Sequence, residues 1–270
     1  MKRAGFYLLL ALIVLWSIAP FLWQLITSLK PVSQLILLPP LLPKALYLFH
    51  YVNVFTGQPF ARFILNSLIV AGSTTIFSLI IGTFAAYAIS RLRFPGRGLM
   101  LALVLSVAMF PPIATVSPLF LLIRWLGLRD HLLALIFPYI TFTLPLGIWI
   151  LTQFFRQIPR ELERAAWIDG CTPFQSLYRI ILPLALPGVA SAAILIFIFA
   201  WNEFLYALTF TTTEASRTIP VGIALFPGIH ELPWGEIAAA SVIVTLPLVV
   251  LVLALQRRIV AGLTAGALKG

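Results

Sequence analysis

The chain is poor in charge, cysteine and lysine, and each shortage removes a class of protein. Only 10% of its 270 residues are charged, whereas 61% are hydrophobic, and the mean hydropathy is +1.06. An ordinary soluble domain has about a quarter of its residues charged. A buried soluble core would also need shorter apolar runs with polar faces between them, a pattern this sequence does not show. The single cysteine, Cys171, excludes an internal disulfide and any multi-cysteine metal site. The lysines are Lys2, Lys30, Lys44 and Lys269, and none sits in a Gly-x-x-x-x-Gly-Lys loop. A chain without that phosphate cradle must draw any ATP energy from another polypeptide. Asp, Glu and His pairs suited to acid–base or metal chemistry are missing from the apolar runs, which argues against an intramembrane enzyme.

What is present is a series of long uncharged runs: Phe6–Thr27, Phe63–Ser90, Leu99–Ile123, Leu132–Phe155, Ile180–Asn202 and Ile237–Gln256. A bilayer's hydrocarbon core takes about 20 helical residues to cross, and each run is near or above that length. The sequence therefore predicts an all-α polytopic membrane protein, one membrane domain over 1–270. Its six transmembrane helices lie over about 6–27, 63–90, 99–123, 132–155, 184–206 and 237–256. Met1-Lys-Arg before an apolar run resembles a signal peptide, but the run is too long and no small-x-small site follows, so it reads as a retained first helix.

The net charge of +10 invites a nucleic-acid reading, but its placement points to a membrane. With six spans, Lys2, Arg3, Arg91, Arg93, Arg97, Arg156, Arg160, Arg164, Arg179, Arg257, Arg258 and Lys269 share one side. The other side has Lys30, Lys44, Arg62, Arg124, Arg129 and Arg217, half as many. The positive-inside rule puts the richer side, with both termini, in the cytoplasm. Outside, the proline-rich stretch 31–61 cannot be one long helix and leaves room for a short one near Phe49–Phe55. The second span carries Gly72, Ser73, Thr74, Ser78, Gly82, Thr83, Ala85 and Ala86, a density of small residues that places it inside a bundle. Prolines in the third and fourth spans (Pro111, Pro112, Pro118, Pro138, Pro145) kink those helices.

One polar island, 156–183, interrupts the apolar pattern on the cytoplasmic side. Pro159 opens a helix whose first turn carries Glu161 and Glu163, complementing its dipole. Gly170 can end that helix in the left-handed region. Thr172-Pro-Phe-Gln175 starts a second helix with a capping box that runs to Pro183, and Pro187 bends the chain into the fifth span. The Ala165-Ala166 pair makes one face nearly flush, so the two short helices read as a docking knob. In the fifth span, Trp201, Asn202 and Tyr206 suit a sugar path, since aromatic faces stack on sugar rings and amides bind hydroxyls. Trp201 and Glu203 equally suit the outer interfacial belt.

Glu163-Arg-Ala-Ala-Trp-Ile-Asp-Gly170, with Thr172-Pro173 and the Leu182-Pro183-Leu-Ala-Leu-Pro187 exit, resembles the cytoplasmic EAA loop of ABC importer permeases. Asn66-Ser67, Ala85-Ala-Tyr87, Arg91-Leu-Arg-Phe-Pro-Gly96, Phe110-Pro111, Phe199-Ala-Trp-Asn-Glu203 and the ending Gln256–Gly270 resemble the second permease subunit of carbohydrate importers of the maltose/trehalose type. One departure stands out: Arg164 occupies the motif's acidic position, directly after Glu163.

The resemblance implies a type I importer permease fold whose loop 156–183 docks as a coupling helix on a cytoplasmic ATPase. It assigns that contact to Glu163, Arg164, Ala165, Ala166, Asp169, Gly170, Thr172 and Pro173. The tail 259–270, through Gly262, Leu263, Thr264, Gly266 and Lys269, would reach between two ATPase copies. Asn66 joins Trp201, Asn202, Glu203 and Tyr206 on the substrate path. The implied function is half of the pathway for a di- or oligosaccharide of trehalose or maltose kind, in a bacterial or archaeal cytoplasmic (inner) membrane. The implied partners are a second permease, two ATPases carrying ATP and Mg, a sugar-binding protein or lipoprotein, and the lipid bilayer. No cofactor and no nucleic acid would be bound by this chain. The rival is an ion-coupled secondary transporter or channel acting without an ATPase, a class that uses buried acids or broken helices; Glu203 is the one residue here that fits it.

Overall fold

The protein is described from a computed structural model covering residues 2–35, 40–226 and 232–267, with side chains over 5–254 of these. Among the described residues every regular element is helical. The long helices are α1 (Lys2–Ser28), α3 (Phe60–Arg91), α6 (Leu133–Gln157), α9 (Leu186–Asn202) and α12 (Trp234–Ala267). Shorter ones are α2 (Phe49–Thr56), α4 (Arg97–Val107), α5 (Pro112–Trp125), α7 (Arg160–Ile168), α8 (Pro173–Leu184), α10 (Leu205–Phe210) and α11 (Ile219–Ala224). Among the described residues four helices are long and apolar enough to cross a membrane by themselves, and six spans result if α4 with α5 and α8 with α9 are each counted once.

Two of the expected spans are interrupted. The third, expected over 99–123, is broken into α4 and α5, which meet at 87°. Extended Pro111 and Pro112 at the first position of α5 supply the cause, since neither has an N–H to continue the ladder. The fifth, expected to run to 206, stops at Asn202. Glu203 is extended (φ −67°, ψ 129°), and its carboxylate accepts the N–H groups of Tyr206 (3.0 Å) and Ala207 (3.3 Å), so a side chain caps α10 and starts a new helix.

The bundle's centre is α3 against α6, with α9 laid across both and α12 packed on α9. As its small residues require, α3 turns Thr74, Ser78, Gly82, Thr83 and Ala86 inward, and the Ser78 hydroxyl bonds Thr143 of α6 at 2.8 Å. A side chain at Gly188 of α9 would put its Cβ 2.3 Å from Phe154 of α6, so only glycine permits that approach. α1 lies on α12 at the periphery, with almost its whole apolar surface exposed to what would be lipid.

On the extracytoplasmic side, buried His50 of α2 bonds the Lys30 carbonyl through Nε2 (2.9 Å) and faces the Glu236 carboxylate through Nδ1 (3.0 Å), joining the ends of α1, α2 and α12. Asp130, in the left-handed region (φ 64°), clamps the loop after α10. It accepts the N–H groups of Thr212 (2.7 Å) and Thr213 (3.0 Å), the Thr213 hydroxyl (2.6 Å) and the Ser216 hydroxyl. Burial alone would push its carboxyl up. The bonds from Ser216 and Thr213 outweigh that and hold it well below the usual carboxylate range.

Candidate functional site: the cytoplasmic corner

α7 and α8 meet at a sharp corner as their capping chemistry requires. Gly170 has φ +86°; its N–H bonds the Trp167 carbonyl (3.1 Å), and the Cys171 N–H reaches back to Ala166 (2.8 Å). That pair of bonds is a Schellman stop. Two residues on, the Thr172 hydroxyl accepts the Gln175 N–H (3.2 Å) while the Gln175 side chain accepts the Thr172 N–H (2.8 Å), a complete capping box with Pro173 at the first helical position. α8 widens into a π-turn over Leu177–Ile181, just before Pro183, and a 79° bend at Ala185 hands the chain to α9.

The corner is tied to the bundle by charge. Glu163, 3% exposed, accepts a hydrogen bond from the Tyr87 hydroxyl and sits 3.6 Å from Arg91 Nε, both on the last turns of α3. Arg91 Nη2 donates to the carbonyls of Phe155 (2.7 Å) and Ile158 (2.8 Å), closing off the end of α6. Phe174 of α8 stacks on Phe84 of α3, with ring centres 6.1 Å apart. The corner is thus fastened to α3, and α8 joins it to α9.

This geometry redistributes the expected contact residues. Glu163 and Ala166 point inward and serve as anchors, and the flush Ala165-Ala166 face is split between surface and core. Arg164, Ala165, Asp169, Gly170, Thr172 and Pro173 are exposed, and they surround Ile168, which is 87% exposed. Ile168 is a bare aliphatic tip that sequence reasoning passed over. Tyr87 and Arg91 entered the sequence reading only within resemblance motifs and, for Arg91, the charge balance; their pairing with Glu163 was not foreseen, since nothing in the sequence indicates which helix face a long-range partner meets.

The expected substrate-path residues separate in space. Asn66 donates to the carbonyls of Ala215 (3.0 Å) and Arg217 (2.8 Å), so its amide holds the outer loop. Trp201 is buried and stacks on Phe197. Tyr206 is buried, its hydroxyl bonded to Thr115 (2.6 Å) and its ring stacked on Phe142. Glu203 accepts the Tyr139 hydroxyl in addition to the two N–H groups of α10. Of the set, only Asn202 stands exposed, with one amide hydrogen on the Ile198 carbonyl (2.8 Å). An apolar cleft of about 350 Å³ opens beside this cluster, between Phe110, Thr115, Leu119 and Phe142. The backbone of Gly262, Leu263, Thr264 and Gly266 continues α12; their side chains, and Lys269, lie outside the described residues.

A helical bundle of apolar spans with a capped, charge-anchored corner has the architecture of a multi-pass membrane protein. The family model for binding-protein-dependent transport system inner membrane components matches residues 78–264. The chain is 46% identical to the trehalose transport system permease protein SugB of Mycobacterium tuberculosis, over all of this chain and 99% of that one. It is also 46% identical to the trehalose/maltose transport system permease protein MalG of Thermococcus litoralis, over 97% of this chain and 94% of the other. Among solved structures, a bacterial ABC transporter for alginate import has the same fold, with a TM-score of 0.77 at 21% identity and 95% of both chains covered. The chain belongs to the family of binding-protein-dependent transport inner-membrane components, as the multi-pass permease subunit of an ATP-driven importer and not as an enzyme. It groups with the sugar permeases of that family.

Proposed function

We propose that the chain forms half of the pathway for a di- or oligosaccharide of the trehalose or maltose kind, paired with a second permease in a bacterial or archaeal cytoplasmic membrane. Two cytoplasmic ATPases bind ATP and Mg, and an extracytoplasmic binding protein delivers the sugar. The identity of the relatives supports the substrate class. The observation that carries the coupling role is the corner itself, with Ile168, Asp169 and Gly170 presented outward on a base fixed by Glu163, Tyr87 and Arg91. The exposed tip enters a cleft on the ATPase as a helix-in-groove contact. Closure of the ATPases on nucleotide moves the corner, and its ties to α3 and α8 transmit that movement to the bundle as rocking between inward- and outward-facing states. The tail after residue 258 reaches between the two ATPases.

Co-purification tests the assembly: the chain is expected to co-isolate with a second permease and an ATPase. Uptake on a sugar panel, with the binding protein present, is expected to be ATP-dependent and greatest for an α-linked disaccharide. Proton-driven uptake by this chain alone would overturn the proposal in favour of a secondary transporter.

A further inference from the structure

Beside the coupling corner, and sharing Arg91, Glu163 and Arg164 with it, lies a basic trough. α3 ends at Arg91, the chain turns through Leu92-Arg-Phe-Pro-Gly96 with Gly96 at φ +81°, and α4 begins at Arg97. Against this turn stands the start of α7. Arg93, Phe94, Pro95, Arg97 and Arg160 line an open cleft of about 580 Å³. A second, of about 400 Å³, shares Arg93 and Arg160 with it and adds Arg91, Glu163, Arg164 and Trp167.

The charges of the trough do not balance. Glu163 is its one lining acid, and that carboxylate is engaged by Arg91 and Tyr87. Arg160 reaches only the Ser90 carbonyl, at 3.3 Å. Arg93, Arg97 and Arg164 form no ion pair among the described residues. Arg164 adds a positive charge at the motif position where an acid was expected. Guanidinium groups match phosphate oxygens two at a time. The trough also lies at the turn between the end of α3 and the start of α4, and Phe94, Pro95 and Trp167 give it apolar walls. A free anion needs no such walls, whereas a lipid's glycerol and first methylenes do. Basic pockets between spans at the cytoplasmic surface have this chemistry.

We propose that this trough binds the phosphodiester headgroup of an anionic phospholipid, held by Arg93, Arg97 and Arg160. The inference stands on the trough's geometry and is independent of the sugar and of the ATPase contact. The bound lipid fills the space between the α3–α4 turn and α7, and so braces the base of the corner.

The test uses the assembled transporter, delipidated in mild detergent, with phosphatidylglycerol and phosphatidylcholine added in equal amounts and bound lipid counted by native mass spectrometry. Wild type is expected to retain phosphatidylglycerol preferentially. Arg93→Gln with Arg97→Gln, both on the exposed turn, is expected to weaken that retention by about tenfold or more. Arg129→Gln, a charge removed on the opposite side, is expected to leave it intact. Equal retention of the two lipids, or full retention by the double variant, overturns the proposal. So does displacement of the lipid by millimolar inorganic phosphate, which would make the trough a free-anion site. Crosslinking of Arg93→Cys or Arg97→Cys (in a Cys171→Ala background) to the ATPase instead of to lipid would also overturn it.

Discussion

Glu163 and Glu203 each receive a tyrosine hydroxyl, from Tyr87 and Tyr139, yet they stand in opposite electrostatic settings. At the cytoplasmic edge Glu163 is paired with a buried cation, and Arg91 in turn seals the carbonyls that end α6. Near the outer end of α9, Glu203 has no cation partner among the described residues, and two further bonds come from the N–H groups that open α10. The first arrangement joins separate segments through charge, as a part that transmits movement requires. The second satisfies a carboxylate with neutral donors and a helix N-terminus, which suits an apolar layer where a lone charge is expensive. One acid fastens a lever; the other fixes a break in a span.

Removing each acid should separate these roles. The largest effect is expected from Glu163→Ala, which leaves the Arg91 guanidinium buried and unpaired, at a cost of about 3–5 kcal/mol. The thermal midpoint of the purified transporter should fall markedly, and ATP hydrolysis should lose its dependence on sugar. A midpoint equal to wild type would remove Glu163 from the anchor. Tyr87→Phe removes one hydrogen bond to a charged carboxylate and should cost about 1.5–3 kcal/mol, with coupling retained through Arg91. Glu203→Ala should cost less, about 1–3 kcal/mol for the unsatisfied donors it leaves. It should lower sugar uptake while ATPase coupling persists; uncoupling would erase the contrast between the two acids. Gly188→Ala forces a methyl onto Phe154 and should cost about 1–3 kcal/mol in the same thermal assay without shifting either role.

A smaller effect concerns pH on the outer side. The folded Asp130 carboxyl is held below its unfolded value, so its contribution is fully present above the ordinary aspartate range and is lost only as pH falls toward the depressed folded value. Hydrogen exchange at Thr212 and Thr213 should therefore be equally protected at neutral and mildly acidic pH. Asp130→Asn should lose protection at both, and acid-sensitive protection in the wild type would contradict this.

The corner was legible in the sequence because its determinants are local. Gly170, Thr172, Pro173 and Gln175 each act within a few residues, and the Schellman stop and the capping box form where those residues predict them. The inward face of α7 was not legible. Leu162, Ala165, Ala166 and Asp169 share a helical spacing, and which of them turns inward depends on Tyr87 and Arg91, more than seventy residues earlier. The break after Asn202 was hidden for a related reason: no proline or glycine marks it, and a carboxylate side chain makes it. Asn66 and Tyr206 have the chemistry of a sugar path, but the fold commits their polar atoms to loop carbonyls and to Thr115.

The central claim is that the Ile168–Gly170 tip carries the coupling contact while Glu163 carries none of it directly. Asp169→Arg, which changes only the exposed tip, tests this in the assembled transporter reconstituted with its binding protein. The measurement is sugar uptake per ATP hydrolysed. The account predicts a correctly inserted, thermally unchanged subunit whose uptake falls to background. Uptake per ATP at the wild-type ratio would contradict it.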